Sequence, residues 1–122
     1  MSIRRVVPNI MSNKPEESRA FYADFLGFDV GMDMGWIITF VSPANPTAQI
    51  SVFRGDASAP VEPQITVEVA DVDAVHAGAD RRGLEVVYPL TDESWGVRRF
   101  FVRDPSGVVV NVMSHRGAAE PS

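Results

Sequence analysis

The first half of the chain combines short apolar runs with one stretch of helical spacing. The run from Ile3 to Met11 is rich in Val and Ile, which predicts a strand. Apolar residues then recur three and four positions apart, Pro15 suits a first helical turn, and Gly27 supplies a left-handed stop, so we expect a helix over about 14–26. Gly, Asn and Pro then separate three further predicted strands, at 28–32, 36–42 and 48–54.

The second half repeats this order after a loop at 55–62. A strand is predicted at 64–70, followed by a helix that Asp71 is placed to cap and that Gly83 ends. Three more strands are predicted at 84–88, 97–103 and 108–114. The chain therefore reads as one domain, 1–122, built from two βαβββ modules at about 3–54 and 63–115.

Each module offers one helix, which can cover only one face of its sheet. The other face must be covered by the second module, by a partner chain or by a ligand, so we expect function to lie there. With exposed strand edges and half-covered sheets, we also expect two copies to pair as a homodimer.

Composition excludes several classes of function. The chain has no cysteine, which rules out disulfides, thiolate metal sites and a nucleophilic thiol. Its net charge of −5 does not suit nucleic acid. No apolar run reaches the roughly 18 to 20 residues of a membrane span, and the first residues lack the apolar stretch of a secretory signal, so we expect a cytoplasmic protein without membrane contacts. The arginines at Arg98, Arg99 and Arg103 fit a solvated strand surface better than a phosphate site.

Several motifs, taken together and in order, resemble the vicinal oxygen chelate superfamily, which contains glyoxalases, extradiol dioxygenases, fosfomycin-modifying enzymes and bleomycin-resistance proteins. The match covers nearly the whole chain, from about Ile3 to His115. The resemblance implies an α+β fold in which the two modules form curved mixed sheets around a concave cleft. The residues that carry it are Pro8, Phe21-Tyr22, Leu26-Gly27-Phe28, Val69-Ala70-Asp71-Val72-Asp73, Gly83, Trp95-Gly96 and Asp104-Pro105-Ser106-Gly107.

In the metal-dependent members of that superfamily, four side chains from the first and last strand of each module hold a divalent ion. Carried over by position, these places are Val7, Ser51, Gln64 and Asn111, and none is His, Asp or Glu. Divalent ions need anionic or imidazole ligands, which neutral amides and hydroxyls replace only weakly. We therefore expect no metal and no cofactor, and we expect His76, on the second helix, to face solvent.

Strand alternation predicts which side chains share the concave face. The predicted ligand-binding residues are Asn9, Met11, Ser51, Phe53, Gln64, Thr66, Glu68, Trp95, Asn111 and Met113, with Gln49, Val109 and His115 on the same face. Residues of the opposite parity, Ile65, Val67, Val69, Val110 and Val112, are expected to pack beneath the helices.

Three of these assignments leave alternatives open. Glu68 would hold a ligand amine or pair with a nearby arginine. Trp36 is expected in the core, whereas Trp95, beside a glycine, suits a pocket rim. The methionines are gap-fillers or adaptable ligand contacts.

The leading hypothesis is a metal-independent binding protein that sequesters an aromatic or cationic small molecule such as an antibiotic, in the manner of metal-free bleomycin-resistance proteins. The alternative is a lyase, isomerase or oxidoreductase of the same fold that acts on a small metabolite. It would use Glu68 or His115 as acid or base, with Gln64 and Asn111 as hydrogen-bond donors. A third class, a structural or regulatory domain, predicts a filled concave face.

Overall fold

The computed structural model describes residues 2–55 and 61–116, which form eight strands and two helices. In chain order the elements are β1 (Ile3–Met11), α1 (Pro15–Arg19, continued by a π-helical segment at Ala20–Phe25), β2 (Asp29–Asp33), β3 (Ile37–Val41), β4 (Gln49–Phe53), β5 (Ile65–Val69), α2 (Val72–Arg81), β6 (Val86–Asp92), β7 (Val97–Arg103) and β8 (Val109–His115). Most of the predicted linker lies outside the described residues.

All eight strands join one sheet, in the order β2-β3-β4-β1-β5-β8-β7-β6. The two modules meet at β1 and β5, which run antiparallel and pair Val6 with Val67 and Val7 with Thr66. Within each module the first and last strands are parallel neighbours, β1 with β4 and β5 with β8. The α+β architecture is therefore confirmed, and the second module of the same chain continues the sheet of the first.

The second module has the larger apolar core. Val69 and Val112 of the sheet pack with Val72 and Ala79 of α2 around Phe100, which is fully buried. Partly buried Val67 and Val110 pack against the same cluster, as their parity predicts.

Side-chain hydrogen bonds cap the start of α2 and join it to the sheet. The Asp71 carboxylate accepts a hydrogen bond from the Ala74 N–H at 3.1 Å, which satisfies one of the free donors of the first turn. Ser114 of β8 accepts from the Val72 N–H at 3.1 Å and donates to the Val69 carbonyl at 2.8 Å. His76 does not face solvent fully, because its ring lies edge-on against Phe100 at 4.9 Å.

The first helix differs from the continuous helix that the sequence predicts. Its second half is π-helical, with the Leu26 N–H donating to the Phe21 carbonyl five residues earlier at 3.1 Å. Tyr22 packs against the core of the first module, whereas Phe21 and Phe25 are exposed. Apolar spacing cannot separate the two helix types, because both bring residues four apart close together. No helix among the described residues is long and apolar enough to cross a membrane.

Candidate functional site

A cavity of about 150 Å³ lies on the concave face and is lined by residues of both modules. A smaller cavity of about 50 Å³ adjoins it and reaches Phe53 and Pro63. Both modules of one chain therefore build the cleft. The residues that line both cavities are Asn9, Trp36, Ile37, Thr66, Arg99 and Asn111.

The structure brings most of the predicted ligand-binding residues to these cavities. The larger one is lined by Asn9, Ser51, Thr66, Trp95, Asn111 and Met113, and the smaller one also by Phe53. Met11 lies at the exposed end of β1 and lines neither cavity. Gln64 precedes β5 and binds the backbone of β8, and Glu68 lies behind two lining residues, Arg5 and His115.

The four positions that the resemblance assigns to a metal site are occupied by groups that do not fit a metal ion. Val7 has no donor atom. Ser51 shares a hydrogen bond with Thr39 at 2.8 Å, and the Gln64 side-chain oxygen accepts from the Val109 N–H at 3.0 Å. Across 2–55 and 61–116 there is no group of three or more His, Asp or Glu residues that could hold a metal ion. This donor set does not suit a divalent cation.

Glu68 pairs with the protein's own cations. Its carboxylate accepts a hydrogen bond from the Arg5 guanidinium, and its other oxygen lies 2.9 Å from Nδ1 of His115. Burial opposes ionisation, but the hydrogen bonds from Arg5 and His115 outweigh it, so the pKa of Glu68 lies below its ordinary value. Of the two alternatives for Glu68, the structure shows the arginine pair.

Arg99 is buried, in contrast to the solvated surface that the sequence predicts for the three arginines. Its guanidinium donates to the Glu93 carboxylate at 2.7 Å, and Glu93 also accepts from the Tyr88 hydroxyl at 2.7 Å. The cation lies 5.0 Å from the Trp95 ring centroid and 4.9 Å from that of Phe101. Strand alternation explains this position, because Arg99 shares the concave parity of Val97 and Phe101 in β7.

The other two arginines match the prediction of a solvated strand surface. Arg98 pairs with Asp73 and Asp92, both at 2.9 Å. These bonds raise the pKa of Arg98 above its ordinary value. Arg103 pairs with Glu85 at 3.3 Å.

Trp36 lies at the cleft and not in the core. Its ring meets that of Trp95 edge-to-face, with centroids 5.5 Å apart, and both rings line the larger cavity. Met32 and Met34, which the sequence did not single out, line the same cavity. One wall of the cleft is therefore aromatic and thioether-rich, a surface that suits flat organic molecules.

A short amide network forms the polar floor of the cleft. Thr66 Oγ1 accepts hydrogen bonds from Nδ2 of Asn9 at 2.9 Å and from Nδ2 of Asn111 at 3.1 Å. Asn111 is only 8% exposed, and its Oδ1 has no hydrogen-bond partner among the described residues. A buried acceptor in this state is uncommon in native proteins.

Comparison with known proteins gives a family match and several shared folds. The model of the glyoxalase/bleomycin resistance protein/dioxygenase superfamily matches residues 3–112. A Legionella pneumophila structure described as an NAD-dependent benzaldehyde dehydrogenase is 16% identical, with 91% of this chain and 99% of that chain covered and a TM-score of 0.72. Methylmalonyl-CoA epimerase from Mycobacterium tuberculosis is 18% identical, with coverages of 97% and 92% and a TM-score of 0.69.

A superfamily member from Vibrio splendidus is 17% identical, with 93% of this chain and 99% of that chain covered and a TM-score of 0.66. At these identities the structural likeness shows the fold alone. A comparison with curated protein sequences finds no match.

Proposed function

Because the chain belongs to the glyoxalase/bleomycin resistance protein/dioxygenase superfamily, we propose that it is a small-molecule-binding protein that works without a metal ion in its cleft. The observation that carries this proposal is the chemistry of the four residues at the positions that the resemblance assigns to metal ligands. Val7 has no ligand atom, and Ser51, Gln64 and Asn111 offer only neutral oxygens, of which those of Ser51 and Gln64 are already hydrogen-bonded to neighbouring strands. The cavity beside them provides space for a ligand, and a filled concave face, which a purely structural domain would have, is not what we observe.

The dimensions of the cleft favour a compact ligand. Pockets for drug-sized molecules usually measure about 300–1,000 Å³. The larger cavity here is about 150 Å³, so a bulky antibiotic would lie across the rim while a single ring would fit inside. Antibiotic sequestration is therefore proposed for compact compounds, or for a compact group of a larger one.

Metal analysis of the purified protein tests this function. We expect less than one equivalent of zinc, nickel, manganese or iron per chain. In NMR spectra of chelator-treated protein, we expect an added ligand to shift the indole signals of Trp36 and Trp95. These are the only two tryptophans of the chain, and both line the larger cavity. One equivalent of a tightly bound metal whose removal abolishes the shifts would overturn the proposal.

The pairing of Glu68 with His115 supports a second candidate, an enzyme that moves a proton. Nδ1 of His115 lies 2.9 Å from the Glu68 carboxylate, and the His115 side chain lines the larger cavity. A carboxylate that orients an imidazole is a common general-base arrangement. Arg5 would keep Glu68 ionised by its hydrogen bond, so that Glu68 positions the ring and His115 touches the substrate.

Hydrogen exchange separates the two candidates. An enzyme of this kind would catalyse exchange of an acidic C–H proton of a bound carbonyl compound in D₂O, and His115→Gln would abolish the exchange while leaving binding intact. A binding protein would hold the same compound without exchange.

Homodimerisation and a cytoplasmic location remain part of the proposal. Exposed apolar side chains on the convex side of β1, Val6 and Ile10, and on the π-helical segment, Phe25, support an association surface. Light scattering at micromolar concentration should give twice the 13.3 kDa chain mass. A monomer at that concentration would contradict the dimer and would leave the single-chain cleft unaffected.

A further inference from the structure

We propose that the cleft selects a neutral, single-ring molecule whose hydroxyl or N–H group donates a hydrogen bond to Oδ1 of Asn111. This inference rests on the proposed binding function and names the class of ligand. Three features of the described residues lead to it: an unpartnered buried acceptor, compensated charges around the cavity, and an aromatic wall of limited size.

The buried acceptor identifies the polar group of the ligand. Asn111 lines both cavities and is more than nine-tenths buried, and its Oδ1 lacks a partner. The amide is held in this orientation because its Nδ2 donates to Thr66 Oγ1, which also accepts from Asn9. A buried acceptor without a donor is costly, so a donor brought by a bound molecule gains more here than it would elsewhere on the surface.

The charges around the cavity favour a neutral ligand. Arg5 and Arg99 both line it, and each already pairs with a carboxylate, Glu68 and Glu93 respectively. An anionic ligand would have to compete with these buried partners. A cationic ligand finds no Asp or Glu among the described residues that line either cavity. An anionic ligand would therefore compete with existing ion pairs, and a cationic ligand would meet no lining carboxylate in the described part of the chain.

The walls and the volume favour a single flat ring. Trp36 and Trp95 stand at one side, and Met113 lies in β8 between Glu68 and Arg99 of the neighbouring strands. A cavity of about 150 Å³ has the size known to hold benzene in other proteins. The ligand that fits all three features resembles a phenol or an aromatic amine more than a carboxylate or an ammonium.

Three ring compounds of similar size test the hydrogen bond: phenol, which can donate; anisole, which can only accept; and toluene, which does neither. Titrations are followed by the Trp36 and Trp95 indole NMR signals. We expect phenol to bind the wild-type protein at least about tenfold more tightly than anisole, since a site built around a buried acceptor rejects a ligand without the donor. In Asn111→Leu the preference should fall to within about twofold, while toluene binding is retained. Asn13→Leu, at an exposed position, is the matched control and should keep the preference.

The outcomes separate this inference from the function on which it rests. Toluene and anisole binding as tightly as phenol in the wild-type protein would overturn the inference and leave the binding function standing, and this comparison needs no variant. A phenol preference that survives in Asn111→Leu would overturn the role of Asn111. Tighter binding of benzoate or benzylammonium than of phenol would overturn the neutral class. Failure of all these compounds to shift the indole signals would overturn both proposals.

Discussion

The buried pair of Glu93 and Arg99 should be one of the more costly pairs in the protein to break. Both side chains are nearly inaccessible, at 7% and 5% exposure, and their charged atoms lie 2.7 Å apart. Glu93→Gln keeps the shape of the side chain and an oxygen that can accept from Tyr88, so it removes mainly the negative charge. The variant therefore removes the negative charge that lies 2.7 Å from the buried Arg99 guanidinium.

The expected loss follows from burial. Removing one partner of a buried pair usually costs about 3–5 kcal/mol of unfolding free energy. The rings of Tyr88, Trp95 and Phe101 lie 4.9–5.2 Å from the guanidinium carbon and still stabilise the cation. We therefore expect the lower end of the range, about 3 kcal/mol.

Asp73→Asn provides the matched control. Asp73 pairs with Arg98 at 2.9 Å, nearly the same distance, but its side chain is 62% exposed. Exposed pairs contribute at most about 1 kcal/mol, so the control should lose no more than that. Both variants are compared with wild type by urea unfolding monitored by circular dichroism. If Glu93→Gln loses no more stability than Asp73→Asn, burial does not determine the strength of this pair.

Two further predictions concern the sheet and its charges. Glu68→Gln should lower the unfolding free energy by about 1–3 kcal/mol at neutral pH, because Arg5 and His115 lose the negative charge of their partner and one of its two acceptor oxygens. The folded-state pKa of Glu68 lies below its ordinary value of 4.5. The difference in unfolding free energy between wild type and Glu68→Gln should therefore have its full size above pH 4.5 and shrink as the pH falls below that value. A difference that stays constant from pH 7 to pH 3 would contradict the pairing of Glu68 with Arg5 and His115. Gly31→Ala should destabilise the protein by about 1–3 kcal/mol, because the added methyl group overlaps Val41 across β2 and β3, and Val41→Ala in the same chain should recover most of the loss in thermal unfolding. Equal stability of Gly31→Ala and wild type would show that β2 moves to make room.

Local signals in the sequence were enough to predict most of the fold. Strand alternation and the Gly and Pro residues between strands predicted β7 at Val97–Arg103 as observed. The same signals predicted the bounds of most other strands to within a residue or two. The π-helical segment at Ala20–Phe25 could not be predicted, because its hydrogen bonds differ from those of an α-helix while its apolar spacing does not.

The cleft was harder to predict where it depends on distant parts of the chain. Trp36 and Trp95 lie just before β3 and β7 and meet although four strands separate β3 from β7 in the sheet, and no local pattern carries that information. The partner of Glu68 was left open for the same reason, since Arg5 reaches it through the pairing of β1 with β5. Arg99 is different, because we predicted a solvated position for it although its alternation with Val97 and Phe101 was a local signal for the concave face.

We propose that this cleft binds its ligand through neutral side chains and aromatic walls, with no metal ion taking part. The most direct measurement is a phenol titration of the same preparation before and after dialysis against a chelator, and again after addition of zinc, nickel, manganese or iron(II), followed by the indole signals of Trp36 and Trp95. We expect one dissociation constant under all these conditions. Loss of binding after chelation, with recovery on addition of one of these ions, would contradict it.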